Sequence, residues 1–131
     1  MELIDEIEEL IMMHQEGPYW DFKREWYDDS KDGDLLIDII CMANNLVDRD
    51  AYIIIGVNEE CDYAIQDVSQ DANRRNTQML TDFIRGKKFA GDFRPVVTVE
   101  QVHLDGGLVD VIVVHNSINT PYYLREKYKG I

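Results

Sequence analysis

The spacing of apolar residues changes twice within the first 26 positions of the chain. Apolar side chains recur at intervals of three and four between residues 2 and 14, which predicts an amphipathic helix. Gly17-Pro18 ends this pattern. Residues 19–26 then alternate, with Trp20 and Phe22 on one side, which predicts a half-buried strand.

The middle of the chain predicts two further helices around a buried strand. A helix is predicted from Leu35 to about Leu46, with Asp34 as its N-cap. The uninterrupted apolar run at residues 51–57 predicts a central strand, because a strand buried on both faces shows no alternation. Residues 71–86 predict a third helix that ends at a glycine.

The last third of the chain predicts a β-hairpin. Residues 95–104 and 108–115 are rich in β-branched side chains, and Asp105-Gly106-Gly107 joins them. Residues 122–124 are a candidate for one more edge strand. The predicted order is α-β-α-β-α-β-β, which indicates one α/β (α+β) domain over residues 1–131 with a mixed sheet flanked by helices. The chain could also be the N-terminal part of a longer protein.

Composition narrows the class of protein. The chain is 45% hydrophobic and 30% charged, as is usual for a soluble globular domain. Its apolar runs are shorter than the roughly 20 residues that span a bilayer, so we expect no membrane association. Two cysteines form no disulfide framework, and the acidic N-terminus is unlike a signal peptide. We therefore expect a cytoplasmic protein.

Charge is distributed unevenly along the chain. The net charge is −13, yet residues 1–70 carry 19 acids and 4 bases while residues 71–131 carry 7 acids and 9 bases. Six of the 13 bases fall between positions 74 and 94. Four of them are candidates for contacts with nucleic-acid phosphates: Arg74, Arg75, Lys87 and Lys88. The alternative is that they are ordinary solvated charges on a helix and a loop.

Three carboxylates could converge on a divalent cation. Glu16 follows the first helix, Asp21 lies on the outward face of the first strand, and Glu59 comes just after the central strand. Mg²⁺ and Mn²⁺ prefer such oxygen ligands. Lys23 points to the same side as Asp21 and could meet a phosphate oxygen or orient an attacking water. In a chain with 26 acids, the alternative is a set of solvated surface carboxylates.

The order of several short motifs resembles the Schlafen-like AlbA domain family. Members show Glu, four residues and Glu-Phe-Lys, then a helix ending in Ala-Asn-Thr-x-Gly-Gly, then a strand ending in Ile-Gly-Val and followed by acids. Here the corresponding residues are Glu16, Asp21-Phe22-Lys23, the stretch CMANN (41–45) and the stretch IIIGVNEE (53–60). The stretch IVVHNSINTPYYLR (112–125) is similar to the closing strand of the family.

This resemblance implies a nucleic-acid-binding domain and, in its Schlafen members, a metal-dependent endoribonuclease that acts on tRNA-like RNA. Carried over to this chain, it implies a Mg²⁺ or Mn²⁺ site at Glu16, Asp21 and Glu59, with Lys23 beside it, and RNA rather than DNA as the nucleic acid. Schlafen-like folds often pair two units, so a homodimer and fusion to further domains are open arrangements.

Other functions remain open from the sequence. Many bacterial members of the family are known only as DNA-binding or regulatory modules, so a module without turnover is one alternative. An acidic protein-interaction module is another, because −13 also serves solubility. Asp21-Phe22-Lys23 also fits half of a restriction-type endonuclease site, which would again need a divalent metal.

Overall fold

The computed structural model describes residues 1–125. Within that range the regular elements follow the predicted order, with one small hairpin added after the central strand. The helices are α1 (Leu3–Met12), α2 (Asp32–Ala43) and α3 (Thr77–Arg85). The strands are β1 (Trp20–Lys23), β2 (Ala51–Ile55), β3 (Val57–Asn58), β4 (Ala64–Ile65), β5 (Val97–Leu104) and β6 (Gly107–Val114).

Four strands form a mixed sheet in the order β1-β2-β6-β5. β1 and β2 are parallel, and Asp21 lies opposite Ile53. β6 is antiparallel to both β2 and β5, and β5 and β6 form the predicted hairpin. β2 is buried along its whole length and β6 at every position except its first glycine, which explains why neither shows clear apolar alternation.

The two faces of the sheet carry separate cores. On one face, Ile7 and Leu10 of α1 pack with Trp20, Phe22 and the inward side chains of β2 and β6. On the other face, α2 and α3 pack over Ile53 and Ile55. Asp21 and Lys23 alternate with Trp20 and Phe22, so they lie on the α2 side of β1. β1 is an edge strand, and these two side chains therefore stay partly accessible.

Several predicted boundaries differ from the structure. Residues 71–76 are turns rather than helix, because Asn76 caps α3 by accepting from the Met79 N–H at 2.9 Å. α2 begins at Asp32, so Asp34 lies inside its first turn and is not the N-cap. Residues 122–124 form no strand; Leu124 makes one bridge to Phe89.

A short antiparallel pair of strands, β3 and β4, was not predicted. Gly56 separates β2 from β3 at φ 115°, a value that favours glycine, and its N–H donates to the carbonyl of Lys23 at 2.7 Å. The predicted continuous strand over 51–57 therefore turns at residue 56. This turn sends the chain across the carboxyl end of β1.

None of the helices in residues 1–125 has the length and apolar character that a bilayer crossing needs. Cys41 and Cys61 are both exposed and unpaired by any disulfide.

Candidate metal and nucleic-acid site

Glu16 lies in a tight turn between α1 and β1. The indole N–H of Trp20 donates to the carbonyl of Gln15 at 2.8 Å, and the N–H of Gly17 donates to the carbonyl of Trp20 at 3.1 Å. The indole also covers Gly17 so closely that a β-carbon there would overlap the ring. The buried Trp20 thus fixes the backbone on both sides of Glu16, whose own side chain is exposed.

Asp21 is the most enclosed of the three predicted carboxylates. Its side chain is 15% exposed, and its Oδ1 accepts from the N–H of Phe22 at 2.9 Å. The pKa of Asp21 is raised from 3.8 to about 6, first by burial and then by a hydrogen bond with Glu16, against the opposing effect of Lys23. Asp21 therefore holds a proton more tightly than a solvated aspartate does.

Glu59 reaches the same place from the β3–β4 hairpin. It is the first residue of a short 3₁₀ turn, Glu59–Cys61, which Asn58 caps by accepting from the Glu60 N–H at 3.1 Å. The Gly56 turn and the short β3 bring this 3₁₀ turn to the end of β1. Glu59 itself is exposed.

The three carboxylates converge. Glu16, Asp21 and Glu59 each offer an oxygen, and these oxygens all lie within 4.8 Å of one another. With bonds of about 2.1 Å, adjacent ligand oxygens of an octahedral Mg²⁺ are about 3 Å apart and opposite ones about 4 Å, so the three side chains would draw together around one ion. All three ligands are oxygen donors, which suit Mg²⁺ or Mn²⁺. A bound cation would also favour the ionised form of Asp21 and so lower its raised pKa.

Lys23 lies beside this cluster and bridges two carboxylates. Its Nζ is 3.5 Å from Oδ2 of Asp21 and 3.3 Å from Oδ2 of Asp38 on α2. The hydroxyl of Tyr27 donates to that same oxygen of Asp38 at 2.6 Å. Burial lowers the pKa of Lys23, but the two carboxylates outweigh it and the pKa is raised. Lys23 is therefore a firmly charged ammonium at the edge of the site.

Two open clefts meet at Lys23 and Arg24. One, of about 460 Å³, runs along Val57, Asn58 and Glu59. The other, of about 370 Å³, runs along Tyr27 and α2. Together they leave the end of β1 open to a ligand larger than a single ion.

Two predicted phosphate contacts, Arg74 and Arg75, are held in ion pairs within the protein. Arg74 donates from Nε and Nη2 to the two oxygens of Asp110, both at 2.9 Å. Arg75 donates from Nη2 to Asp32 at 2.8 Å and is 12% exposed. Both guanidinium groups thus neutralise carboxylates of the fold, and their contact with nucleic acid remains a prediction.

Lys87 and Lys88 follow α3, which packs against β5 at the sheet edge opposite β1. The ammonium of Lys87 lies 4.5 Å from the centre of the Phe83 ring, and Lys88 is exposed. The structure thus places Lys87 and Lys88 away from the strand that carries Asp21.

Sequence reasoning missed Asp38, Tyr27 and Asp110. Asp38 lies between Ile37 and Ile39 in an apolar helix, and Asp110 is the one acid in the strand segment 108–114. A lone carboxylate in an apolar element signals a buried partner. The sequence could not name those partners, because Arg74 and Asp110 are 36 residues apart.

Comparison with known proteins agrees with this architecture. The model of the family described as Schlafen, AlbA_2 matches residues 16–131, which is nearly the whole chain. No curated protein matches the chain significantly. The chain belongs to the Schlafen AlbA_2 family, and this membership suggests that it binds nucleic acid.

Proposed function

We propose that this protein is a divalent-metal-dependent endonuclease that cleaves RNA at the end of β1. The observation that carries the proposal is the convergence of Glu16, Asp21 and Glu59 within 4.8 Å. Three carboxylates without a cation would repel a phosphodiester, so binding of nucleic acid at this place requires a metal. Membership in the Schlafen AlbA_2 family supports nucleic acid as the ligand.

The residues have distinct roles in this proposal. Glu16, Asp21 and Glu59 hold Mg²⁺ or Mn²⁺. When bound, such an ion lowers the pKa of water and neutralises charge on the scissile phosphate. Lys23, charged and 35% exposed, donates to a phosphate oxygen and so orients the backbone of the substrate. The clefts on either side of Lys23 and Arg24 receive the nucleotides that flank the cleaved bond.

RNA is favoured over DNA by the resemblance of the sequence motifs to the Schlafen ribonucleases. The test is cleavage of mixed tRNA and of single-stranded DNA in Mn²⁺, Mg²⁺ or EDTA. We expect metal-dependent cleavage of RNA that Asp21→Asn and Glu59→Gln both abolish. Glu100→Gln is the matched control, because it removes an exposed charge on β5, at the sheet edge opposite β1 and outside the cluster.

Thermal unfolding of each variant separates impaired chemistry from an impaired fold. Cleavage that persists in EDTA, or in both cluster variants, would contradict the proposal. Salt-sensitive binding without cleavage in any metal would instead identify a binding module without turnover.

We further propose that Lys87 and Lys88 bind phosphates outside the metal site. Replacing one lysine that binds a phosphate reduces the slope of log binding constant against log salt by about 1. We expect the double variant Lys87→Glu, Lys88→Glu to weaken binding and reduce that slope. Arg85→Glu is the control, since Arg85 is the exposed last residue of α3 and pairs with Asp82 at 3.3 Å.

A further inference from the structure

The ammonium of Lys23 is shared between a carboxylate of the metal cluster and a carboxylate outside it. Asp21 belongs to the cluster, and its Oδ2 lies 3.5 Å from Lys23 Nζ. Asp38 projects from α2 and lies closer, at 3.3 Å. Asp38 is not among the acids that form the cluster in residues 1–125. Asp38 therefore acts on Lys23 from outside the cluster.

Asp38 is itself held from the other side. The Tyr27 hydroxyl donates to Oδ2 of Asp38 at 2.6 Å, so one oxygen accepts from both Tyr27 and Lys23. Tyr27 is buried, and burial raises its pKa, with Asp38 raising it further, so it remains a neutral donor. Since one oxygen receives both donors, Asp38 has a fixed orientation toward Lys23.

The chain segment that carries Tyr27 is itself fixed to the core by its neighbour Trp26. Trp26, next to Tyr27, is buried; its indole N–H donates to Asp110 at 2.8 Å and its backbone N–H donates to Asp71 at 2.9 Å. These two bonds fix the segment after β1 against distant parts of the chain. The orientation of Asp38 is thus set by the tertiary structure rather than by α2 alone.

We propose that Asp38, oriented by Tyr27, is a positioning residue that retains the Lys23 ammonium beside the carboxylate cluster while Asp21 binds a divalent cation. This inference rests on the proposed metal site. A cation that binds Asp21 competes with Lys23 for the same carboxylate. Because Asp38 holds the ammonium, Asp21 is released to the cation without loss of the positive charge that faces the substrate.

Removal of Asp38 leaves Lys23 with Asp21 as its remaining carboxylate partner. The cation must then displace an ammonium that has lost its second carboxylate partner within residues 1–125, and metal affinity falls. Loss of a residue that supports a metal ligand weakens binding by about 10- to 100-fold. We expect Asp38→Asn to raise the dissociation constant for Mn²⁺ by about tenfold.

The test is titration of the whole chain with Mn²⁺, with free Mn²⁺ followed by electron paramagnetic resonance. The variants are Asp38→Asn, Lys23→Met and the two combined. Asp34→Asn is the matched control, because Asp34 lies one turn earlier on α2 and lines the same cleft, without an ion pair to Lys23. Circular dichroism checks the fold of each variant.

The combined variant separates positioning from simple loss of charge. If Asp38 acts through Lys23, Asp38→Asn changes Mn²⁺ affinity by less than about twofold once Lys23 is Met, a non-additivity typical of coupled residues. Equal weakening in both backgrounds overturns the inference, as does an unchanged affinity in Asp38→Asn. Tyr27→Phe, which removes only a hydroxyl, is a milder second variant that must shift affinity in the same direction.

The outcomes also separate this inference from the proposed function. Failure of the wild-type chain to bind Mn²⁺ overturns both. Tight Mn²⁺ binding that is abolished in Asp21→Asn but unaffected in Asp38→Asn supports the metal site and overturns the positioning role alone.

Discussion

Arg74 binds both oxygens of Asp110 at 2.9 Å, and Asp110 is 1% exposed. The indole of Trp26 donates to the same carboxylate at 2.8 Å. This pair joins the turn before α3 to the centre of β6, so the Arg74 guanidinium neutralises a carboxylate of the fold. A buried ion pair of this kind has consequences for stability.

We expect Arg74→Met to lower the free energy of unfolding by about 3 to 5 kcal/mol, because it leaves the Asp110 carboxylate buried without its counter-charge. Urea unfolding measures the change. Adding Asp110→Leu to that variant should recover much of the stability, since the unpaired charge is then gone. Arg85→Met, at an exposed pair, should change stability by less than about 1 kcal/mol. A mild effect of Arg74→Met would show that the pair is not needed by the fold.

The pKa of Asp21, raised from 3.8 to about 6, makes a prediction about pH. The folded protein holds this proton more tightly than the unfolded chain does. The associated stability is therefore present below pH 3.8 and is lost as the pH rises through about 6.

In EDTA, the stability of Asp21→Asn relative to wild type should rise by about 1 to 2 kcal/mol between about pH 4 and 7, after allowance for solvent screening. Urea unfolding across this range measures the difference between the two proteins. A difference that stays flat, or that falls with pH, would contradict the raised pKa.

Gly17 is required by the indole of Trp20, which would overlap a β-carbon at that position. We expect Gly17→Ala to destabilise the protein by about 1 to 3 kcal/mol, as overpacking usually does, and to displace Glu16. Thermal unfolding and tryptophan fluorescence report the two effects. Gly86→Ala is the control: its β-carbon would meet its nearest neighbour at 3.6 Å, an ordinary contact, on a backbone with φ −74°. Similar stability for the two variants would be inconsistent with the clash.

Asn44 holds Tyr122 by two hydrogen bonds. Its Nδ2 donates to the carbonyl of Tyr122 at 2.8 Å, and its Oδ1 accepts from the N–H of Tyr122 at 2.7 Å. Asn44→Ala should cost about 1 to 3 kcal/mol, because the backbone of a buried residue loses both partners. Hydrogen exchange at the Tyr122 amide should accelerate. Asn119→Ala is the exposed control, and equal exchange in both variants would contradict this role of Asn44.

The role of Asn44 also shows where sequence reasoning ended. The Ala-Asn pair at the end of α2 marks a motif, but the partner of the asparagine is 78 residues away. Asn45 caps the end of α2, because its Nδ2 donates to the carbonyl of Met42 at 2.9 Å. Two adjacent asparagines thus have different roles, and only the packing of the chain distinguishes them.

The order of helices and strands could be predicted from the spacing of apolar residues, because that spacing reflects which side chains are buried. The alternation at Trp20 and Phe22 and the continuous apolar run of β2 are direct consequences of which faces pack. The third helix was predicted too long at its start, because charged and amide residues before Asn76 are compatible with both turns and helices until their side chains find partners.

The sequence by itself determined the order of the elements, and it named Glu16, Asp21, Glu59 and Lys23 as a group. The tertiary structure decided that the three acids lie within 4.8 Å, because the Gly56 turn and the β3–β4 hairpin bring Glu59 back to β1. It also decided which charges are shared: Lys23 with Asp38, and Arg74 with Asp110. Charge pairing acts through space between residues far apart in the chain, so no local pattern records it.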